Sequence, residues 1–273
     1  HLTKDNYVIV YKRKGKPTDI DKIKKPKITP IKINREDKSD FVKMIENRKI
    51  EDIEPVYLDF NKDIQTVSAQ NGVNVYYTKN EDNELFTLHY VFEIGTWSDK
   101  YMGLAAGYLE YLGTDKYTPE QIKEELYRLG CQFSMATSGE KSYVTLSGLS
   151  KNMPEVMRLL EHVISNAKPN QEALNNLVSD ILKSRENAKS NQNAIVSRLV
   201  NYGIYGANNP NLATMLTEKE LKAITPEQMI AKLQEWIKYK HYAIYYGPQT
   251  PNVVIDAINS IHNPADLKDV PTP

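Results

Sequence analysis

The segment Leu85-Phe86-Thr87-Leu88-His89-Tyr90-Val91-Phe92-Glu93-Ile94 does most to restrict how this chain can fold. It is rich in aromatic and β-branched residues, alternates partly at period two, and is closed by Gly95, which together specify a strand. A strand this long needs partners in a sheet. The chain supplies them: Val73–Thr78 before it, Cys131–Thr137 and Ser142–Leu149 flanking the Ser138-Gly139-Glu140-Lys141 turn, and Tyr242–Gly247 near the end. Gln70-Asn71-Gly72-Val73 adds a turn signal between Ile64–Ala69 and Val73–Thr78.

Helical patterns separate these strands. One runs from about Lys100 through Gly103–Thr114. A second, opened by Thr118-Pro119-Glu120, places Ile122, Leu126 and Leu129 on one face and ends at Gly130. Two or three helices span Met153 to about Tyr202, with Val156, Leu159, Leu160, Val163 and Ile164 as the first apolar stripe and Leu174, Leu177 and Ile181 continuing it. Thr217 and Glu220 stand at capping-box spacing, Thr225-Pro226-Glu227 opens another helix, and Val253–Ile261 reads as the last. Strands, helices, a hairpin, more helices and a returning strand give α+β order. The expected architecture is an antiparallel or mixed sheet covered on one face by helices.

Composition narrows the class without naming a function. At 273 residues the chain can bury roughly 70–75% of its unfolded surface, enough to need neither disulfide nor metal for stability. Net charge is +0, so no global field favours nucleic acid or an anionic membrane, and no apolar run has the length of a membrane span. The lone Cys131 excludes an internal disulfide and reads as a small buried hydrophobe. No phosphate-binding glycine loop or serine-nucleophile elbow occurs. His89, His162, His241 and His262 fall on different elements without ligand spacing and read as structural or surface histidines. Most tyrosines read as packing residues with the hydroxyl at an edge.

The first 54 residues differ from the rest. Tyr7–Tyr11 reads as a strand, yet no partner lies nearby; it is expected to end a preceding domain, spanning 1–17 here. Residues 18–54 read as a basic linker. Across 1–38 there are 12 Lys/Arg against 5 Asp/Glu, an excess of +7, which suits a solvated, extended connector, the alternative being a docking surface for an acidic partner. Phe41–Ile45 adds a short helix, capped by Ser39 or Asp40. Residues 55–273 form the main domain. The chain starts at His1 without methionine, which suggests an excised fragment.

Within Gly103–Thr114, Gly107, Glu110 and Tyr111 stand at i, i+3 and i+4, the spacing at which an H-x-x-E-H helix presents two zinc ligands and a general base. Glycine has no side chain to offer and tyrosine is a poor zinc ligand, so the frame is present and its ligands are not. The order of elements, with the Asn71-Gly72 opening, the Leu85–Gly95 strand, Gly103-Leu104-Ala105, Gly113-Thr114 and Thr118-Pro119-Glu120, resembles the insulinase/pitrilysin family of zinc metallopeptidases, which includes the mitochondrial processing peptidases. The resemblance covers most of residues 56–262.

That resemblance implies a fold of homologous α/β units paired into halves around a peptide chamber, with zinc held by only one unit. By it, this chain is a non-catalytic, chamber-forming unit of the second half. It holds no zinc itself; the parent protein does, and the N-terminal catalytic half supplies both histidines and binds with it the peptide substrate. Glu110 falls where the general base stands, without a metal-bound water to act on. The distant third ligand would align with the helix near Leu177–Arg185, where Asp180 or Glu186 are candidates. Tyr108, Glu110 and Tyr111 are the chamber-lining candidates. The alternative is a catalytically dead scaffold or assembly subunit, distinguished by whether H-x-x-E-H occurs upstream of His1. The compartment expected is a bacterial periplasm.

Overall fold

The computed structural model describes residues 8–12, 14–15, 24–30, 34–70, 72–262 and 267–271. The chain divides into two units, His1–Val56 and Tyr57–Pro273. In the first, the described residues 8–11 are irregular and exposed rather than a strand, and Tyr7 lies outside the described residues. Strand propensity alone does not hold such a run extended in a ladder. Helix α1 (Asp40–Glu46) is capped by Ser39, whose hydroxyl accepts from the Val42 amide, and it buries no residue.

The second unit is built on a six-stranded mixed sheet among the described residues, in the order β1-β2-β6-β3-β5-β4. Its strands are β1 (Gln65–Ser68), β2 (Asn74–Lys79), β3 (Leu85–Phe92), β4 (Cys131–Thr137), β5 (Ser142–Leu149) and β6 (His241–Gly247). All neighbours are antiparallel except β2 and β6. The β1–β2 turn forms where the sequence signals it, with Gly72 at positive φ; its Asn71 lies outside the described residues. The long strand β3 pairs along its length with both β5 and β6. Alternation sorts its side chains: Phe86, Leu88, Tyr90 and Phe92 are buried under helices, while Thr87 and His89 face the other, half-exposed side. There His89 Nδ1 meets Thr145 Oγ1 at 2.9 Å across the register pair.

The helices are α2 (Phe60–Asp63), α3 (Met102–Tyr108), α4 (Pro119–Leu129), α5 (Met153–Asn166), α6 (Gln171–Ala188), α7 (Gln192–Tyr205), α8 (Pro210–Ala213), α9 (Glu218–Ala223), α10 (Pro226–Trp236) and α11 (Pro251–Ile261). Their sequence signals act as chemistry predicts. Thr118, Thr217 and Thr225 each close a capping box with Gln121, Glu220 and Gln228, satisfying amides the first turn leaves open. The α5 stripe of Val156, Leu159, Leu160, Val163 and Ile164 is buried against the sheet with Met153. Cys131 is buried, as its environment suggests, and burial pushes its thiol pKa up.

The turn from α4 into β4 is closed by a backbone approach that only glycine permits. Gly148, at φ 142°, lies against this corner, where a β-carbon would sit 2.3 Å from the Gly130 carbonyl oxygen and 2.6 Å from Cys131 Cα. Gly148→Ala is therefore expected to cost about 3 kcal/mol, combining backbone strain with overpacking. Urea unfolding checks this; a loss under about 0.5 kcal/mol, the range of ordinary surface substitutions, would show that the corner is not tightly closed.

Candidate functional site

The degenerate motif sits on a helix whose start is fastened on three sides. After β3, the Thr96 and Trp97 amides donate to the Ser138 and Gly139 carbonyls, both at 2.8 Å, tying the loop to the β4–β5 turn. Trp97 lies directly on Gly139, where a β-carbon would come within 2.4 Å of the indole. Next, Asp99 pairs with Lys232 of α10 at 2.5 Å, and Lys100 pairs with Glu220 of α9. Glu220 also accepts from the Thr217 backbone and hydroxyl. The Lys100 hydrogen bond first, and then these, hold its carboxyl down to about 2. Helix α3 thus enters at a fixed angle and packs on β4, α6 and α10.

The α-helix stops at Tyr108, and Leu109–Tyr111 continue as a 3-10 turn. The tighter winding brings i and i+3 into line but carries the next residue further round. Gly107 and Glu110 therefore stay roughly aligned, while Tyr111 is turned away more than a uniform α-helix would turn it. Glu110 is exposed; Tyr111 is half-buried against the core. Tyr108, the third chamber-lining candidate, is buried in this chain. Its side chain is 0% exposed, and its hydroxyl donates to the Asn170 carbonyl and accepts from the Asn170 amide, each at 2.9 Å. Burial raises its pKa. Tyr108 is a clamp between α3 and the N-cap of α6.

The residues present do not fit a zinc ion. A β-carbon on Gly107 would rest 3.9 Å from both terminal methyls of Leu177, so α3 and α6 meet here through an apolar contact. Further along α6, Asp180 is exposed and Glu186 is engaged by Lys189 at 2.6 Å on the surface. Among the described residues, no group of three or more His, Cys, Asp or Glu could hold a metal ion. The motif frame is closed by hydrocarbon and a tyrosine clamp, where a metal centre would require converging donors.

Two histidines that the sequence leaves scattered are brought together. His262 Nε2 lies 3.0 Å from His241 Nε2, and His262 Nδ1 lies 2.5 Å from Glu161. These residues stand 21 and 101 positions apart, so no local spacing signals them. The structure also shows what composition did not stress: α7 buries no residue. Ile195, Val196, Leu199, Val200, Tyr202 and Ile204 are all more than 40% exposed. At 100° per residue these six span one broad, continuous apolar face.

Comparison with known proteins gives this architecture a context. Residues 101–218 match the insulinase family (peptidase family M16). The chain is 23% identical over 197 residues to the mitochondrial-processing peptidase subunit beta of Dictyostelium discoideum, covering 68% of this chain and 39% of that protein. Its fold is similar to the periplasmic protease PqqL of Escherichia coli, with TM-score 0.65, 14% identity, and coverage of 85% of this chain and 28% of that one. It is likewise similar to a peptidase M16 inactive domain from Pseudomonas fluorescens, with TM-score 0.63, 17% identity, and coverage of 77% and 52%. This chain thus spans about two fifths of the curated relative.

Tyr108→Phe removes one hydroxyl and leaves the Asn170 amide and carbonyl without it. The expected cost is about 1–3 kcal/mol in urea unfolding. A loss near zero would mean that water replaces the clamp.

Proposed function

We propose that this chain, which carries a domain of the insulinase (M16) peptidase family, is a non-catalytic unit of a larger M16 peptidase. In this reading it helps enclose a peptide substrate while another unit of the same protein supplies zinc and the histidines that hold it. The observation that carries the reading is the Gly107–Leu177 contact. At the place where a ligand-bearing helix would have to face its distant ligand, the Leu177 methyls stand 3.9 Å from where a β-carbon on Gly107 would be. Exposed Glu110 and half-buried Tyr111 are then the residues of this helix left to meet peptide.

The α7 surface supports the companion. A helix of this length is marginal by itself in water, and its β-branched Ile195, Val196, Val200 and Ile204 do not favour it by propensity. Packing of the exposed face on a second unit of the same protein supplies what is missing. The fold likeness to an inactive domain, of which the matched part covers 52%, is consistent with a companion of comparable size. The strand-like run at 7–11 and the basic residues after it are, in the same proposal, the end of a preceding unit and the connector between halves.

Two measurements test the proposal. The purified chain should contain no stoichiometric zinc and should not hydrolyse peptides. One tightly held zinc per chain, lost on Glu110→Ala, overturns the reading. Leu199→Asp and Ile204→Asp should change the stability of the isolated chain by no more than about 0.5 kcal/mol, as expected for exposed sites, and abolish its association with a co-expressed catalytic half. Undiminished association would remove α7 as the docking face.

A further inference from the structure

Glu161 of α5, His262 at the end of α11 and His241 at the start of β6 form a chain of three hydrogen bonds anchored on the Tyr239 carbonyl. His241 Nδ1 lies 2.7 Å from that carbonyl oxygen. A carbonyl only accepts, so His241 Nδ1 carries a proton. His241 Nε2 and His262 Nε2 face each other at 3.0 Å, and a hydrogen bond there needs one proton between the two nitrogens. His262 Nδ1 and the Glu161 carboxyl, 2.5 Å apart, likewise share one. Three protons over these groups make every bond and leave the chain with no net charge. A fourth sets two N–H groups, or an N–H and a carboxylic acid, against each other.

The surroundings make that count costly to change. The His262 side chain is 3% exposed. The Tyr90 ring lies tilted over it at 4.3 Å, and the Phe92 ring over His241 at 4.6 Å, so both imidazoles are seated on the apolar face of β3. Among the described residues, the titratable and charged groups facing the pair include Tyr90 from β3, Glu161 from α5, and the Tyr239-Lys240 segment before β6, whose Lys240 is paired with Asp269 at 2.5 Å. Among the described residues the buried Tyr90 hydroxyl has no hydrogen-bond partner, so it is bonded to neither imidazole. A buried charge without compensation is expelled or opens its surroundings.

We propose that the Glu161–His262–His241 chain is an acid-released latch that fastens helix α11 and the start of β6 onto α5 and lets go when a further proton enters. The direction of the pH effect follows from His241. Burial first, then the charge of His262, push its pKa down from 6.5 to about 4, against the Tyr239 carbonyl, which raises it. The opened segment takes up a proton at the ordinary value, whereas the closed latch resists until about 4. The part of the latch's stability that His241 carries is therefore whole above 6.5 and is lost as pH falls from there to about 4.

Hydrogen exchange on the whole chain between pH 7 and 4, corrected for intrinsic rates, tests this. Protection of α11 and of residues 239–243, relative to α4, should fall by up to about tenfold per pH unit across the window. His241→Gln keeps an acceptor towards His262 but cannot take up the proton, so its α11 should show no such acid dependence. A wild-type α11 that tracks α4 down to pH 4 overturns the latch, as does an unchanged acid response in His241→Gln. Should that variant fail to fold, NMR titration of the wild-type imidazole carbons decides. His241 protonating near 6.5 with α11 still closed would rule the latch out.

Discussion

Strand β3 is the constraint from which the rest of the main unit follows. It pairs with β5 on one side and β6 on the other over nearly its whole length, so a one-residue slip would turn Phe86, Leu88, Tyr90 and Phe92 out of the core together. That fixed register sets where the chain leaves the sheet at Phe92. The loop that follows is pinned to the β4–β5 turn and to α9 and α10, which aims α3. The same face of β3 seats the two imidazoles between α5 and α11. The motif helix and the histidine chain both take their positions from it.

Much of this was legible in the residues. Strong local signals translated directly: β3 from its composition, the hairpin from its glycine-containing turn, the Thr217–Glu220 capping box from its spacing, and two helix starts from Thr118-Pro119 and Thr225-Pro226. Where sequence pattern and structure differ, the reason is physical. The Val8–Tyr11 run has strand-forming side chains, but strand formation needs a ladder, and the described residues there form none. The uniform helical face across Gly107, Glu110 and Tyr111 assumed 3.6 residues per turn throughout. The change to 3-10 winding after Tyr108 is not encoded in the apolar spacing.

Contacts between distant residues were beyond sequence reasoning altogether. The Gly107–Leu177 contact and the Tyr108–Asn170 clamp join α3 to α6 across more than sixty residues. They convert what looks like a damaged active site into a well-made seam. A glycine at 107 is then no lesion. A side chain there has to share its space with Leu177, and the apolar contact that results needs no ligand to stabilise it. Tyr108, grouped by sequence with the chamber-lining candidates, belongs to that seam because its hydroxyl satisfies both backbone groups of Asn170 in a buried place.

The segment from Asn170 to Tyr205 shows how such a seam relates to a docking surface. At its start, α6 is held by the Tyr108 clamp and buries Leu174 and Val178. Towards its end, Arg185 donates to the Leu216 carbonyl at 2.7 Å. The next helix, α7, buries nothing. Burial therefore declines along one stretch of chain, from a helix that buries Leu174 and Val178 to one that buries none of its residues. Helices in water are held mainly by packing of their apolar face, so α7 has the most to gain from a partner. A partner on α7 would also restrict the far end of α6, and α6 carries Leu177. In the proposed assembly, a companion on α7 would therefore bear, across the short break at residues 189–191, on the same helix that faces Gly107.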